Sequence, residues 1–303
     1  MYDNNGGEIR CSLRGRFQKD FQLKKDKLFN IDIVVVGDRV KYEINEDKSG
    51  VIEEILPRRN YISRKAPKIK GVGNRGERLE QVVAANINNL IIVSSCKTPK
   101  FNNRVIDRLI VAGESSHLNI IIVINKTDLD ESDDYTAWAQ LYRTIGYKVF
   151  LTSVKTKTGI NDLKKEFANN TSLIWGHSGV GKSSLINEMY PGINLKIGEI
   201  SDNTSKGKHT TVTSIMKNVG ENTFIIDTPG IREIDPYGIR KEDVCHYFIE
   251  FVPFMELCRF NTCTHHHEPG CGVINAVDQG KINGERYQSY LNILDTIEED
   301  MNF

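Results

Sequence analysis

The sequence contains no apolar run approaching the roughly 20 residues that a membrane-spanning helix requires, so no membrane association is expected. It has no excess charge of either sign, because 40 basic residues balance 40 acidic ones. Global charge therefore makes no case for a nucleic-acid partner, and any such case rests on local patches. The opening stretch, MYDNNGGEIR, lacks the basic-then-apolar pattern of a secretion signal, and a soluble cytoplasmic protein is expected. Cysteine is sparse, with six in 303 residues. Cys11, Cys96 and Cys245 are scattered, which argues against a disulfide scaffold and suits small buried hydrophobes in a reducing compartment. Cys258, Cys263 and Cys271 cluster, and clustering points to metal.

What is present suits a globular chain. Apolar residues make up 39% and charged residues 26%, enough for a real core, and the length predicts two or three domains. Residues 1–75 read as short strands divided by turns, with candidates at 31–36 (IDIVVV), 40–44 and 50–56. An OB-type barrel fits these spacings, as does an SH3-like one. Residues 57–78 carry Arg58, Arg59, Arg64, Lys65, Lys68, Lys70, Arg75 and Arg78 against the single acid Glu77, and three glycines make the segment read as a linker or mobile loop. Residues 76–235 read as an α/β domain. Apolar strands at 90–93, 120–124, 148–151, 173–175 and 224–226 alternate with helical stretches at 104–114, 135–145, 160–167 and 183–189. Over residues 236–303 the strand pattern fades. Stretches 241–251 and 282–297 read as helices, with Tyr287, Tyr290, Leu291 and Leu294 spaced as core contacts.

Gly176, His177, Ser178, Gly179, Val180, Gly181, Lys182 and Ser183, followed by Ser184, match the P-loop pattern between a strand and a helix. The glycines let backbone N–H groups turn inward around phosphates at a helix N-terminus. Lys182 is then expected to reach the β- and γ-phosphates, and Ser183 to ligate Mg²⁺. The base is specified by Asn125, Lys126, Thr127 and Asp128, directly after the 120–124 strand. The Asp128 carboxylate can accept from both the ring N–H and the exocyclic amine of guanine, whereas adenine would leave a buried charge unpaired. Lys126 can lay its stem along the base, and Asn125 can tie neighbouring loops together. Ser153, Val154 and Lys155 follow the next strand and can aim N–H groups at guanine O6. Downstream of the P-loop, Asp227 is expected to hold the Mg²⁺ shell, and the Gly230 amide to sit near the γ-phosphate. The intervening segment 206–213 suits a nucleotide-sensing loop, with Thr211 expected on the metal and Thr210 as its alternative. Ordinary small GTPases run P-loop, switch threonine, D-x-x-G, N-K-x-D. Here the guanine motifs precede the P-loop, the order a circular permutation gives while leaving the meeting point of the strand ends intact.

With the barrel, the G-H-S-G-V-G-K-S-S-L-I-N run, the G-K-H-T-T loop and the Cys/His cluster together, the sequence resembles the ribosome small-subunit-dependent GTPase family, the RsgA or YjeQ group, over essentially its whole length. The resemblance implies an OB-fold domain, a circularly permuted GTPase domain and a C-terminal zinc-binding domain. It further implies GTP and GDP as substrate and product, and a role in late maturation of the small ribosomal subunit with ribosome-stimulated turnover. Lys208 and Val212 depart from the family's usual G-R-H-T-T-T loop. The residue after Gly230 is Ile231, which cannot orient a water through its side chain, so unaided hydrolysis is expected to be slow. His209 is the expected substitute once a partner orders that loop. Lys182 and Thr211 complete the expected catalytic set.

Cys258, Cys263 and Cys271 with one histidine suit a tetrahedral structural zinc, a closed set with no position for a catalytic water. Spacing leaves His265, His266 and His267 open as the fourth ligand, and the resemblance points to His265. The basic run, with Tyr61 embedded in it, and Arg10, Arg14, Arg16, Lys19, Lys24, Lys25 and Lys27 could meet phosphates of ribosomal RNA. A monomer is expected.

Overall fold

The computed structural model describes residues 1–3, 6–15, 17, 33–65, 80–129, 134–193, 195, 215–227 and 238–301. Strands β1 (Cys11–Leu13), β2 (Val40–Ile44) and β3 (Gly50–Ile55) form a three-stranded sheet in the order β1-β3-β2. Strands β4 (Tyr61–Lys65) and β5 (Glu80–Ala85) form an antiparallel ribbon. The expected strand at 31–36 is not one over its described part, where residues 33–36 bend and turn. The Asp38 carboxylate takes the Val35 N–H at 2.8 Å, which competes with a ladder bond. The Val36 carbonyl instead accepts from Ala85 N at 2.9 Å, so this apolar run is a packed turn. The expected linker contains β4, which is fixed at its start by side chains. Asn60 exchanges two 2.9 Å hydrogen bonds with the Ile87 backbone, and Asn86 accepts from Arg59 N at 2.9 Å.

A six-stranded sheet follows. Its strands are β6 (Asn89–Ser95), β7 (Asn119–Asn125), β8 (Lys148–Thr152), β9 (Thr171–Trp175), β10 (Ile215–Gly220) and β11 (Thr223–Asp227). The order is β10-β11-β9-β6-β7-β8, and all neighbours are parallel except β10 with β11. Helices α1 (Asn103–Ser115), α2 (Asp134–Ile145), α3 (Ile160–Phe167) and α4 (Lys182–Met189) cover it. Successive side chains of a strand point to opposite faces, and the two central strands divide their apolar residues accordingly. Leu90, Ile92, Ile120 and Ile122 pack with Ile106, Leu109 and Ile110 of α1 and Tyr142 of α2. Ile91, Val93, Ile121 and Val123 pack with Leu163 and Phe167 of α3 and Leu185 and Ile186 of α4. Each such side chain contributes about 1.5–3 kcal/mol on burial. The chain steps from β6 outward to β8, then returns to the other side of β6 as β9. That reversal places a crevice at the carboxyl ends of β6 and β9, where open α/β sheets bind ligands. The unanticipated edge strand β10 is half exposed and carries Lys217 and Asn218, so its pattern is weak.

The C-terminal part holds a 3-10 helix (Lys241–Tyr247) and helices α5 (Val252–Met255), α6 (Gly272–Asp278) and α7 (Gly284–Met301). The helix expected at 241–251 is instead 3-10 and turn, with Phe248 N bonded to Cys245 O and Phe251 N to Phe248 O. Phe248, Phe251, Tyr290 and Leu294 form a core that includes Val111 of α1. Tyr287 and Leu291 pack against that core, as their spacing predicts. Arg286, fully buried, donates to Asp107 of α1 at 2.7 Å and to Glu250 at 2.7 and 3.1 Å. Among the described residues, no helix is long and apolar enough to cross a membrane.

Candidate nucleotide site and metal cluster

The P-loop leaves β9 at Trp175 and enters α4 at Lys182, as the motif requires. Two glycines are dictated by space. A Cβ on Gly176 would lie 2.1 Å from the Val93 carbonyl oxygen, and one on Gly181 would lie 2.4 Å from Asn125 Nδ2, at a φ of +98°. Val180 is buried as the loop's anchor, while His177, Ser178 and Gly179 are exposed. Ser183 and Ser184 lie in the first turn of α4, whose leading N–H groups have no intrahelical acceptor. Lys182 Nζ folds back over the loop to the carbonyls of Gly176 at 2.6 Å and His177 at 3.1 Å. Burial lowers the Lys182 pKa from the usual lysine value, and the Asp227 carboxylate opposes that shift. Asp227, itself buried, ends β11 and pairs with Ile174 of β9, the strand that leads into the same loop.

The guanine motif leaves β7, two strands away. Asn125 is 2% exposed. Its Nδ2 donates to the Val180 carbonyl at 2.9 Å, and its Oδ1 accepts from Thr152 Oγ1 at 3.0 Å. One side chain thus joins the P-loop to the end of β8. Lys126, at φ +65°, sends Nζ to the carbonyls of Gly179 at 2.5 Å and Thr98 at 2.6 Å. Thr127 Oγ1 donates to the Thr152 carbonyl at 3.2 Å. Asp128 is exposed, and its Oδ1 accepts from the buried Ser153 hydroxyl at 2.6 Å. Ser153 Oγ also accepts from Thr156 N at 3.1 Å, which fixes the turn that carries Val154 and Lys155. The structure brings together the P-loop, the guanine motif, the 153–155 loop and Asp227. Sequence reading missed the loop after β6, where Thr98 meets Lys126 and the Cys96 thiol donates to the Lys126 carbonyl at 2.8 Å. Only knowledge that β6 neighbours β7 could have found it.

His209, Thr210, Thr211 and Gly230 lie outside the described residues, as do Arg16, Lys19, Lys24, Lys25, Lys27, Lys68, Lys70, Arg75 and Arg78. Several basic residues expected to meet phosphate are engaged within the protein. Arg58 forms a two-bond ion pair with Asp38 at 2.7 and 2.8 Å, and Arg14 pairs with Glu53 at 2.7 Å. Arg59 donates to Ile87 O, and Arg64 to Gln81. Arg10 and Tyr61 are exposed.

Cys258, Cys263, His265 and Cys271 offer four donor atoms within 4.8 Å of one another. His265 Nδ1 lies 3.3 Å from Cys271 Sγ and 3.6 Å from Cys258 Sγ, and those two sulfurs are 3.9 Å apart. A tetrahedral ion with metal–sulfur bonds of about 2.3 Å and metal–nitrogen bonds of about 2.0 Å separates its ligands by roughly 3.5–3.8 Å, so the donor set fits zinc. Of the three adjacent histidines, His265 is the buried one, while His266 and His267 are exposed. Backbone N–H groups of Gly272 and Ile274 point at Cys258 and Cys271, stabilising thiolate charge. His265 adopts φ +55° and is held from both sides. Tyr287 donates to its carbonyl at 2.7 Å, and Tyr290 donates to the carbonyl of Thr264. On the other side, the Glu268 carboxylate accepts from Thr264 N and Oγ1, His266 N and His267 N, at 2.6–3.2 Å. Those bonds hold the Glu268 carboxyl far below the usual carboxylate range despite its partial burial. Glu268 was not singled out from sequence.

A profile of the RsgA GTPase family matches residues 55–237. A Chlorobaculum parvum protein named small ribosomal subunit biogenesis GTPase RsgA is 40% identical over 272 residues, spanning 88% of this chain and 86% of its own. A Bacteroides thetaiotaomicron protein, small ribosomal subunit biogenesis GTPase RsgA 2, is 37% identical across 98% of this chain and 92% of its own. Among solved structures, YjeQ from Thermotoga maritima is similar with a TM-score of 0.74 and 32% identity over 96% of this chain and 91% of that one. YloQ, described as a circularly permuted GTPase, gives a TM-score of 0.72 at 27% identity over 99% and 90%.

Proposed function

The chain belongs to the RsgA GTPase family, and on that premise we propose that it is a guanine-nucleotide switch that binds the small ribosomal subunit and hydrolyses GTP during that subunit's late maturation. The observation that carries the nucleotide reading is the Asn125 side chain, which joins the guanine motif to the P-loop across the sheet despite their inverted order in the chain. Asp128, braced by Ser153, reads the guanine edge, and the 153–155 backbone meets O6. Lys182 leaves its two carbonyl partners to take the β- and γ-phosphates, aided by the N–H groups of Gly176–Ser184. Ser183, Asp227 and Thr211 would hold Mg²⁺, which would supply neutralisation of charge on the phosphate oxygens. The Gly230 amide senses the γ-phosphate, and His209 orients the attacking water when a partner is engaged. The water oxygen bonds to the γ-phosphorus as the bond from that phosphorus to the β–γ bridging oxygen breaks, and the water's proton passes to an oxygen of the departing phosphate, giving GDP and phosphate.

In this reading residues 1–75 form an OB-type barrel that meets ribosomal RNA, residues 76–235 the GTPase domain, and residues 236–303 a zinc-stapled domain. Zinc on Cys258, Cys263, His265 and Cys271 is structural, since four protein donors leave no open position. The protein acts as a monomer in the cytoplasm. The test is GTP turnover by the protein alone, with isolated small subunits and with large subunits. Stimulation by small subunits only is expected. Equal, slow turnover in all three would remove the ribosomal part and leave a guanine-specific hydrolase.

A further inference from the structure

The described part of the first nine residues closes on itself and sits on the outer edge of the six-stranded sheet. Asp3 N donates to Gly7 O at 2.9 Å, Gly7 N to Asp3 Oδ1 at 2.7 Å, and the Met1 amino group to Ile9 O at 2.9 Å. This turn grips the β10–β11 hairpin. The Tyr2 hydroxyl lies 3.3 Å from the Met216 carbonyl and 3.0 Å from Glu8 Oε1, and donates between them. Its ring packs 5.6 Å from that of Phe224. Gly6, at φ +80°, lies against the Asn218 side chain of β10, whose Nδ2 would be 2.6 Å from a Cβ there.

The grip falls at a sensitive place. Met216 pairs with Ile226, and the next pair is Ile215 with Asp227. β10 begins just after the segment containing His209 and Thr211, and β11 ends at Asp227, three residues before Gly230. On its other side the turn runs straight into β1, and the Arg10 carbonyl accepts from Gly50 N of β3 at 2.9 Å. A continuous path therefore leads from the β1-β3-β2 sheet through Tyr2 to the strand that ends at Asp227. The path is not packed solid. An open groove of about 660 Å³ runs beside it, lined in part by Tyr2, Gly6, Glu8, Lys164, Tyr190 and Lys217.

We propose that this N-terminal turn couples the nucleotide site to the N-terminal sheet, with Tyr2 as the positioning residue that makes the β10–β11 hairpin and the β1-β3-β2 sheet move together. The inference rests on the proposed reading of Asp227 and its flanking segments as nucleotide sensors. Coupling of this kind requires contacts that differ between two states, and it acts in both directions. Engagement of the N-terminal sheet by a partner biases the hairpin as much as nucleotide biases the sheet.

The test uses the full chain as wild type, Tyr2→Ala and Gly6→Val, the second variant straining the turn at its φ of +80° and crowding the Asn218 side chain without altering Tyr2. Three readings are taken on each: affinity for fluorescent GDP, turnover alone, and turnover with small subunits. Both variants are expected to keep GDP affinity and unstimulated turnover while stimulation falls about fivefold or more, the lower range of typical coupling factors. Tyr2→Phe, which keeps the ring on Phe224 and loses the hydroxyl bond, is expected to fall between. Stimulation at the wild-type level in both variants would overturn the inference. So would parallel loss of GDP affinity and unstimulated turnover, since the turn would then be a buttress of the fold alone. Absence of stimulation in the wild type would instead defeat the ribosomal reading on which the inference depends.

Discussion

Asn125 uses both ends of its side-chain amide on partners distant in the chain, 55 residues away at Val180 and 27 away at Thr152. Replacing it with alanine leaves a buried carbonyl and a buried hydroxyl without their partner, at about 1–3 kcal/mol for each group. Asn125→Ala is therefore expected to weaken GDP binding by roughly tenfold or more. Titration with fluorescent GDP checks this, and unchanged affinity would show that the two loops hold their places without it. This residue was legible in the sequence because the N-K-x-D motif fixes its type and the preceding apolar run fixes its strand. Thr98 and Cys96 were not. Their approach to Lys126 follows from β6 lying beside β7, which no local pattern encodes. The three histidines show the same limit, since spacing left the choice open and burial separates His265 from its neighbours.

At the scale of elements, the knuckle around Cys263 and His265 is shaped by Glu268, whose carboxylate collects four donors from residues 264–267. Removing that carboxylate frees the backbone that holds His265 at positive φ with Nδ1 towards the sulfurs. Glu268→Ala is expected to lower metal affinity about 10–100-fold, the usual cost of losing a group that orients a ligand. Cobalt titration followed by its thiolate absorption bands, then competition with zinc, measures it. Equal affinity in variant and wild type would refute the assignment. The central strands were readable because Ile and Val runs buried on both faces admit few alternatives. The elements that the sequence hides do so for different physical reasons. Residues 33–36 have strand composition, yet the Asp38 side chain takes the Val35 N–H and the Val36 carbonyl accepts from the distant Ala85 N. β4 hides in a basic stretch because Arg58, Arg59 and Arg64 are tied to Asp38, Ile87 and Gln81. α6 is too short, at seven residues, to show a helical period.

At the scale of the whole molecule, the C-terminal part is joined to the GTPase sheet through a buried charge. Arg286 meets Asp107 and Glu250 and lies 4.5 Å over the Phe248 ring, while Tyr142 donates to the same Asp107 oxygen at 2.7 Å. Breaking one partner of such a pair costs about 3–5 kcal/mol, because the other charges stay buried. Arg286→Ala is expected to lower the melting temperature and to split unfolding into two transitions as the C-terminal part loosens from α1. A single transition at the wild-type temperature in calorimetry would contradict this. The same sheet carries a consequence for how the protein is made. Strands β6, β7 and β8 are consecutive in the chain and adjacent in space, so they can pair as soon as they leave the ribosome. The permutation puts β9 later, yet its place is against the inner edge of β6. Until β9 is synthesised, the nascent guanine half presents that edge, with the unpaired backbone of Leu90–Ile92, to any other strand in reach. Rearranging the motifs thus leaves the finished site intact but gives the growing chain an interval in which a buried, apolar central strand awaits a neighbour.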